Sequence, residues 1–428
     1  MYSIASIAPP PRDPWPAAPP RIAEDAAIGP LLIPVRFVGH RFHYFWLALK
    51  TTLWTLLTLG IYRFWMKTRQ RRFLWSSVQP GGHPLEYHGE PLEKLLGFLA
   101  AVCLLSFYIG VVNLILFFAS FSLFEGDYAG YWLSFLGILP LFWAAKYRAR
   151  RYILGRTSWR GIRFGAEPGA WAYARTAAWN WVLTILTLGY LWPRMTFQME
   201  KFRIDRTLWG DQQFYQGGDW KMLRRHMRPI WVMTAASTLY AWWIWSGNAA
   251  FFAYSHPVLL ALIVFGLLAG WIGAGALYRT NAMRTMANRK ILGPVTFRSA
   301  ARPWRIVRHF LWGLVLLTVT LVLIVVVVIF ILATANPDIM IYLNQGVPPN
   351  LSTSEQWTYV AIGLVTYFAV FVLFAVLTQF YITFPNFRHY AETLSYSDAN
   401  LGYVRARPAD DVANAEGIAD ALDLGAAF

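Results

Sequence analysis

Residues able to do chemistry are few in this chain, and most are histidines, acids and arginines gathered near aromatic residues. His40-x-x-His43 and the pair His83 and His88 have spacings that can hold a metal. No cysteine accompanies them and no His-Glu-x-x-His pattern occurs, so structural roles are expected and no metal is assigned. Glu86, Glu90 and Glu93 lie beside Lys94 and the Arg69 to Arg72 run, where solvated ion pairing outweighs acid–base catalysis. A serine nucleophile motif, a phosphate-binding loop and a dinucleotide fingerprint are all missing from the sequence, so neither enzyme activity nor a cofactor is expected. Lys67, Arg69, Arg71 and Arg72, with Arg148, Arg150 and Arg151, are interleaved with Tyr and Trp, a pattern that nucleic-acid binders share. Basic residues beside membrane spans have a simpler cause: they fix orientation and touch anionic headgroups, while Trp and Tyr form the interfacial belt. Lipid headgroups are therefore the expected partners of these seven residues, and nucleic acid is not.

The elements that must carry these residues follow from composition. Of 428 residues, 57% are hydrophobic, 17% aromatic and only 14% charged. The mean hydropathy is +0.39, leaving too few polar groups to coat a water-soluble globule. Lys and Arg fall in four blocks, Arg12 to Lys94, Lys146 to Arg228, Arg279 to Arg308 and Arg388 to Arg407. The gaps between them each hold two apolar segments around a short polar loop, at Glu125 to Gly130, Gly247 to His256 and Asn336 to Gln356. By the positive-inside rule these are three transmembrane hairpins with outward loops and both termini in the cytoplasm. No cleavable signal peptide precedes them. Cys103 stands alone within an apolar span and reads as a small core hydrophobe.

Two further apolar stretches, Phe42 to Trp65 and Ala177 to Pro193, sit inside basic blocks. If both cross, Arg63 to Lys94 and Lys146 to Arg175 face the wrong compartment; if each turns back, every basic residue is cytoplasmic. The fold class is accordingly an all-α polytopic membrane protein with six to eight transmembrane helices. Small cytoplasmic β-hairpins are expected at Arg72 to Tyr87, around Pro80-Gly81-Gly82, and at Asp205 to Tyr215. The same two stretches are an internal repeat: Thr55-Leu56-Leu57-Thr58-Leu59-Gly60 aligns with Thr184-Ile185-Leu186-Thr187-Leu188-Gly189 at an offset of 129. The domain reading is a Pro-rich tail over 1–34, repeat units over 35–145 and 146–278, a third hairpin with a basic lead-in over 279–390, and a tail over 391–428 that is acidic at its end. Gly266-x-x-x-Gly270 is read as a helix-packing stripe.

The run Phe37-x-Gly39, Tyr44-Phe45, Leu56 to Tyr62, Phe64-Trp65, Lys67, Arg69 to Phe73 and Glu86-Tyr87-x-Gly89 resembles the YjgN-type family of bacterial inner-membrane proteins, a domain of unknown function. The resemblance runs over most of the chain. It departs at Thr51, where the family has Asn, and at Leu191-Trp192-Pro193 in the second copy. It implies a multi-pass inner-membrane location and no reaction.

Two functional classes remain. One is a non-enzymatic membrane scaffold or regulator whose basic cytoplasmic face binds lipid, a protein partner or a second copy of the chain. The other is a transporter or channel for a neutral or lipid-like substrate, with Thr55, Thr58, Gly60, Thr184, Thr187 and Gly189 lining its site as broken helices do in carriers.

Overall fold

A computed structural model describes residues 32–406 apart from 113, 116–117, 120–128, 249–254, 336–351 and 398–403. Apart from residues 32–34, 391–397 and 404–406, the expected terminal tails lie outside the described residues, as does the greater part of the three polar loops.

Ten short strands form one antiparallel sheet: β1 Leu32–Phe37, β2 Val78–Pro80, β3 Leu85–Tyr87, β4 Thr157–Trp159, β5 Ile162–Ala166, β6 Thr207–Trp209, β7 Gln212–Gln216, β8 Lys290–Leu292, β9 Val295–Ser299 and β10 Leu394–Ser397. Their order, β2-β1-β10-β9-β8-β7-β6-β5-β4-β3, puts at its two ends a pair consecutive in the chain. A turn at Gly81 and Gly82 joins that pair, and His83 N–H donates to the Pro80 carbonyl across it at 3.2 Å. The sheet is thus bent almost into a closed barrel. Alternate side chains point inward, as the strand period of two requires. Val35, Val78, Trp159, Trp209, Leu292, Val295 and Tyr396 are buried there, joined by Val404 from beyond β10. Trp209, 1% exposed, packs on Trp159 with ring centroids 5.0 Å apart.

Helices leave this barrel between neighbouring strands. Between β1 and β2 lie α1 Arg41–Leu57 and α2 Arg63–Ser77; between β3 and β4, α3 Pro91–Phe107 and α4 Ala129–Gly155. Between β5 and β6 lie α5 Ala170–Leu186 and α6 Trp192–Ile204; between β7 and β8, α7 Arg228–Trp243 and α8 Pro257–Ala287. The last excursion, between β9 and β10, holds α9 Pro303–Ala335, α10 Thr353–Thr378 and α11 Phe384–Glu392. Tight turns close the intervening hairpins at Gly161, Gly210 and Gly293, all at positive φ. Every helical excursion therefore starts and ends on the same rim.

These elements correct the fold class. The chain is not all-α with scattered hairpins: its strands make one ten-membered ring. Among the described residues four helices, not six to eight, are long and apolar enough to cross a membrane: Pro91–Val112, Pro257–Ala287, Pro303–Leu332 and Trp357–Glu392. A charge-free stretch is not automatically apolar. The segment after Arg228 lacks charge but spends its length on Trp, Tyr, Thr and Ser, and α4 meets Pro140 and then Lys146 partway along. The two Thr-Leu-Gly segments are helical hairpins with legs of 17 and 15 residues in the first and 17 and 13 in the second, short of the roughly 20 that a span needs. Arg72 to Trp75 belongs to α2 rather than to a strand, and Cys103 is exposed on α3 rather than set in a core.

Both hairpin tips close in the same way. Gly60 N–H donates to Thr55 O at 2.7 Å and Gly189 N–H to Thr184 O at 2.8 Å. The hydroxyls of Thr58 and Thr187 donate to Trp54 O and Leu183 O, and accept from Tyr62 N–H and Leu191 N–H. Leu59 and Gly60, like Leu188 and Gly189, take positive φ in succession. Each turn satisfies its own backbone while presenting Leu59 (95% exposed) and Leu188 (91%) outward, a combination suited to lipid, where an unpaired peptide group is costly.

Because the left-handed region costs a side chain roughly 1–2 kcal/mol, Gly60→Leu and Gly189→Leu are each expected to lower stability by about that amount in detergent unfolding. Equal stability of both variants and the parent would remove the requirement. Trp209→Ala is expected to cost about 3–5 kcal/mol by emptying the barrel centre, read as a loss of thermal stability.

Candidate functional site

The threonines expected to line a site are committed to the main chain. Thr55 and Thr184 donate to the carbonyls of Thr51 and Asn180 at 2.7 Å, as Thr58 and Thr187 do one turn on. Of the six tip residues only Gly189 lines a large cavity, with Leu188 beside it.

The basic residues divide by direction. Arg69 and Arg148 are exposed, Arg69 standing 5.7 Å from the Tyr62 ring. Arg72 and Arg151 donate to the carbonyls of Gly89 and Ala166. Lys67 and Arg71 turn into one cavity and Arg150 into another. They do not make one continuous surface, because α2 and α4 carry them on different faces.

The larger cavity, about 880 Å³, lies between the tip and second leg of the α5–α6 hairpin, α7, α8 and the rim of the barrel at Lys290 and Ser299. Leu188, Trp192, Trp231 and Trp271 make its apolar part. Four basic side chains, Arg150, Arg203, Arg279 and Lys290, share the rest of the lining with one carboxylate among the described residues, Glu200. Lys290 Nζ meets Glu200 Oε1 at 2.8 Å, and Arg203 Nη2 meets Oε2 at 2.6 Å. Arg150 reaches the Thr207 hydroxyl at 3.4 Å, and its buried Nε has no hydrogen-bond partner among the described residues.

Burial by itself would push the Glu200 carboxyl up. Lys290, Arg203 and Arg150 together override that penalty and hold it well below the usual carboxylate range. Burial likewise pulls Arg150 down, with Arg203 adding to the effect, while Glu200 offsets burial at Arg203 and raises it. One carboxylate thus holds together more positive charge than it neutralises. The arrangement can bind an anion.

The histidine pairs do other work. His43 stacks on Phe73, and His88 Nε2 lies 2.7 Å from Ser158 Oγ. Ser158 is buried and donates to Glu86 at 3.0 Å, while the same Glu86 oxygen lies 3.4 Å from that same His88 nitrogen. These three side chains clasp the end of β3 to β4. Glu93 pairs with Arg156 at 2.7 Å and accepts from the Tyr152 hydroxyl. No group of three metal-ligating side chains occurs among the described residues.

Sequence reasoning passed over Glu200. Its signal was a sign change between copies: at the offset of 129 it stands where the first copy has Arg71.

A model of a bacterial protein family of unknown function, DUF898, matches residues 33–333, most of the chain and the same family that the Phe37 to Gly89 motifs resemble. No curated protein and no solved structure matches.

Glu200→Gln is expected to destabilise the fold by about 3–5 kcal/mol at neutral pH, the range for breaking a buried pair. Since the folded-state pKa is depressed, the carboxylate's contribution is full above its unfolded value, roughly 4.3, and is lost as pH falls through the lower folded value. The gap in melting temperature between parent and variant should therefore narrow on acidification below about pH 4. A gap independent of pH would contradict the cluster.

Proposed function

We propose that this chain, which belongs to the DUF898 family of bacterial proteins, is a multi-pass protein of the inner membrane with both termini cytoplasmic, acting as a non-enzymatic scaffold or regulator that holds an acidic amphipathic lipid. Basic residues crowd the barrel-proximal ends of α8 and α9, at Arg279, Arg284, Arg302, Arg305 and Arg308, which supports a cytoplasmic barrel under the positive-inside rule. At 31 residues, α8 is about 46 Å long against about 30 Å of hydrocarbon, so its basic end reaches past the membrane to the rim. In the same frame the two Thr-Leu-Gly hairpins dip into the cytoplasmic leaflet and return.

One observation carries the ligand class: the 880 Å³ cavity joins an excess of cationic side chains over Glu200 to a tryptophan-lined apolar part. An acidic headgroup answers the cations, a hydrocarbon chain answers the apolar wall, and the volume suits a small-molecule ligand. Exposed Arg69 and Arg148 add headgroup contacts at the surface. A second reading, transport of a lipid-like substrate, draws support from Leu188 and Gly189: the tip of a hairpin dipping into lipid also lines the cavity, giving a bilayer molecule a route to the site.

Binding is tested on purified protein in dodecyl maltoside. Dodecyl phosphate is expected to bind more tightly than an uncharged amphiphile of the same chain length. Arg150→Gln should weaken it by roughly 10- to 100-fold, the worth of a charge-assisted hydrogen bond. Indifference to headgroup charge would overturn the ligand class. Accelerated lipid movement between leaflets of reconstituted vesicles would favour transport over scaffolding.

A further inference from the structure

A second cavity, about 630 Å³, lies on the other side of α8, between that helix, α2, α9 and the α10–α11 junction. It is lined by the hairpin leg that corresponds to the one lining the first. At the offset of 129, Lys67 matches Thr196, Arg71 matches Glu200 and Leu74 matches Arg203; the first of each pair lines the second cavity and the other lines the first. Both hairpins thus turn the same helical face, positions i, i+4 and i+7, toward α8.

The chemistry differs where the residues differ. The second cavity carries Lys67, Arg71 and Arg279 in its lining, with no carboxylate among the described residues that line it. Arg71 is oriented by the Tyr87 hydroxyl at 3.1 Å. Gln70 lines the cavity too, and its buried amide nitrogen has no hydrogen-bond partner among the described residues. Ile306, Phe310, Ile382 and Phe387 supply apolar wall. Three cationic groups and an amide donor suit the several oxygens of a phosphate group.

We propose that this cavity is a second amphiphile site, taking a phosphate-bearing headgroup, and that the two sites compete for Arg279. This rests on the acidic-amphiphile reading of the first cavity. Trp271, Gly275, Arg279 and Tyr390 line both cavities, so α8 is their common wall. A single guanidinium can fork onto one headgroup at a time, so filling one site weakens the other.

Native mass spectrometry of the full chain in dodecyl maltoside, titrated with dodecyl phosphate, counts the bound molecules. The expected result is two, the second binding at least tenfold more weakly than the first. Lys67→Gln combined with Arg71→Gln should reduce the count to one, and Arg279→Gln should weaken both events and abolish the difference between them. Because Arg71 is buried, Lys67→Gln alone, confirmed as folded by its melting temperature, serves as the milder variant and should weaken one event only. A parent count of one, insensitive to Lys67→Gln but lowered by Arg150→Gln, would overturn the second site and leave the first standing. Absence of any binding would overturn both, and two events of equal affinity unaffected by Arg279→Gln would overturn the competition.

Discussion

The backbone ladder of the ten-stranded ring is the interaction on which the rest of the molecule depends. Strands of three to six residues cannot hold together alone, and all but the end strands β2 and β3 here borrow stability from two paired neighbours. Bending the sheet until β2 and β3 adjoin through one turn leaves an interior that short strands can fill only with large side chains, which is why Trp159, Trp209 and Tyr396 meet there. Antiparallel neighbours also bring each helical excursion back to the rim it left. The helices, which also pack on one another, are thereby fixed from the rim as well.

Parts of this plan could be read in the residues. The three gaps free of Lys and Arg between basic blocks marked where the chain leaves and rejoins the rim, and Thr-Leu-Gly marked the two tips. The ring itself could not be read. Glu86-Tyr87 or Thr207-Leu208-Trp209 is too short for a period of two to separate strand from loop, and the partners of Leu32 and Phe164 lie far off in the chain. Helix propensity and aromatic content at Arg72 to Trp75 fit strand and helix alike, and packing under Tyr44 and Phe384 decided for helix. Spans were overcounted because absence of charge stood in for hydropathy.

The site was less legible still. A run of arginines suggests one surface, yet successive residues on a helix point 100° apart, so Arg148, Arg150 and Arg151 look outward, into the cavity and toward β5. Threonine near glycine suggests a ligand site, but within a helix the hydroxyl finds the carbonyl four residues back before any ligand can. What makes the cavities is the side of each hairpin turned toward α8, a property of the assembled ring.

The register Leu32 with Ser397 has a temporal meaning. During synthesis β1 emerges early and must wait, its neighbour β10 absent, until the last helix has been made. Every helical excursion has to return a strand to the rim before those two can meet. Closure is then a checkpoint: a chain whose helical excursions failed to return their strands to the rim would present open strand edges, the feature that invites wrong pairing.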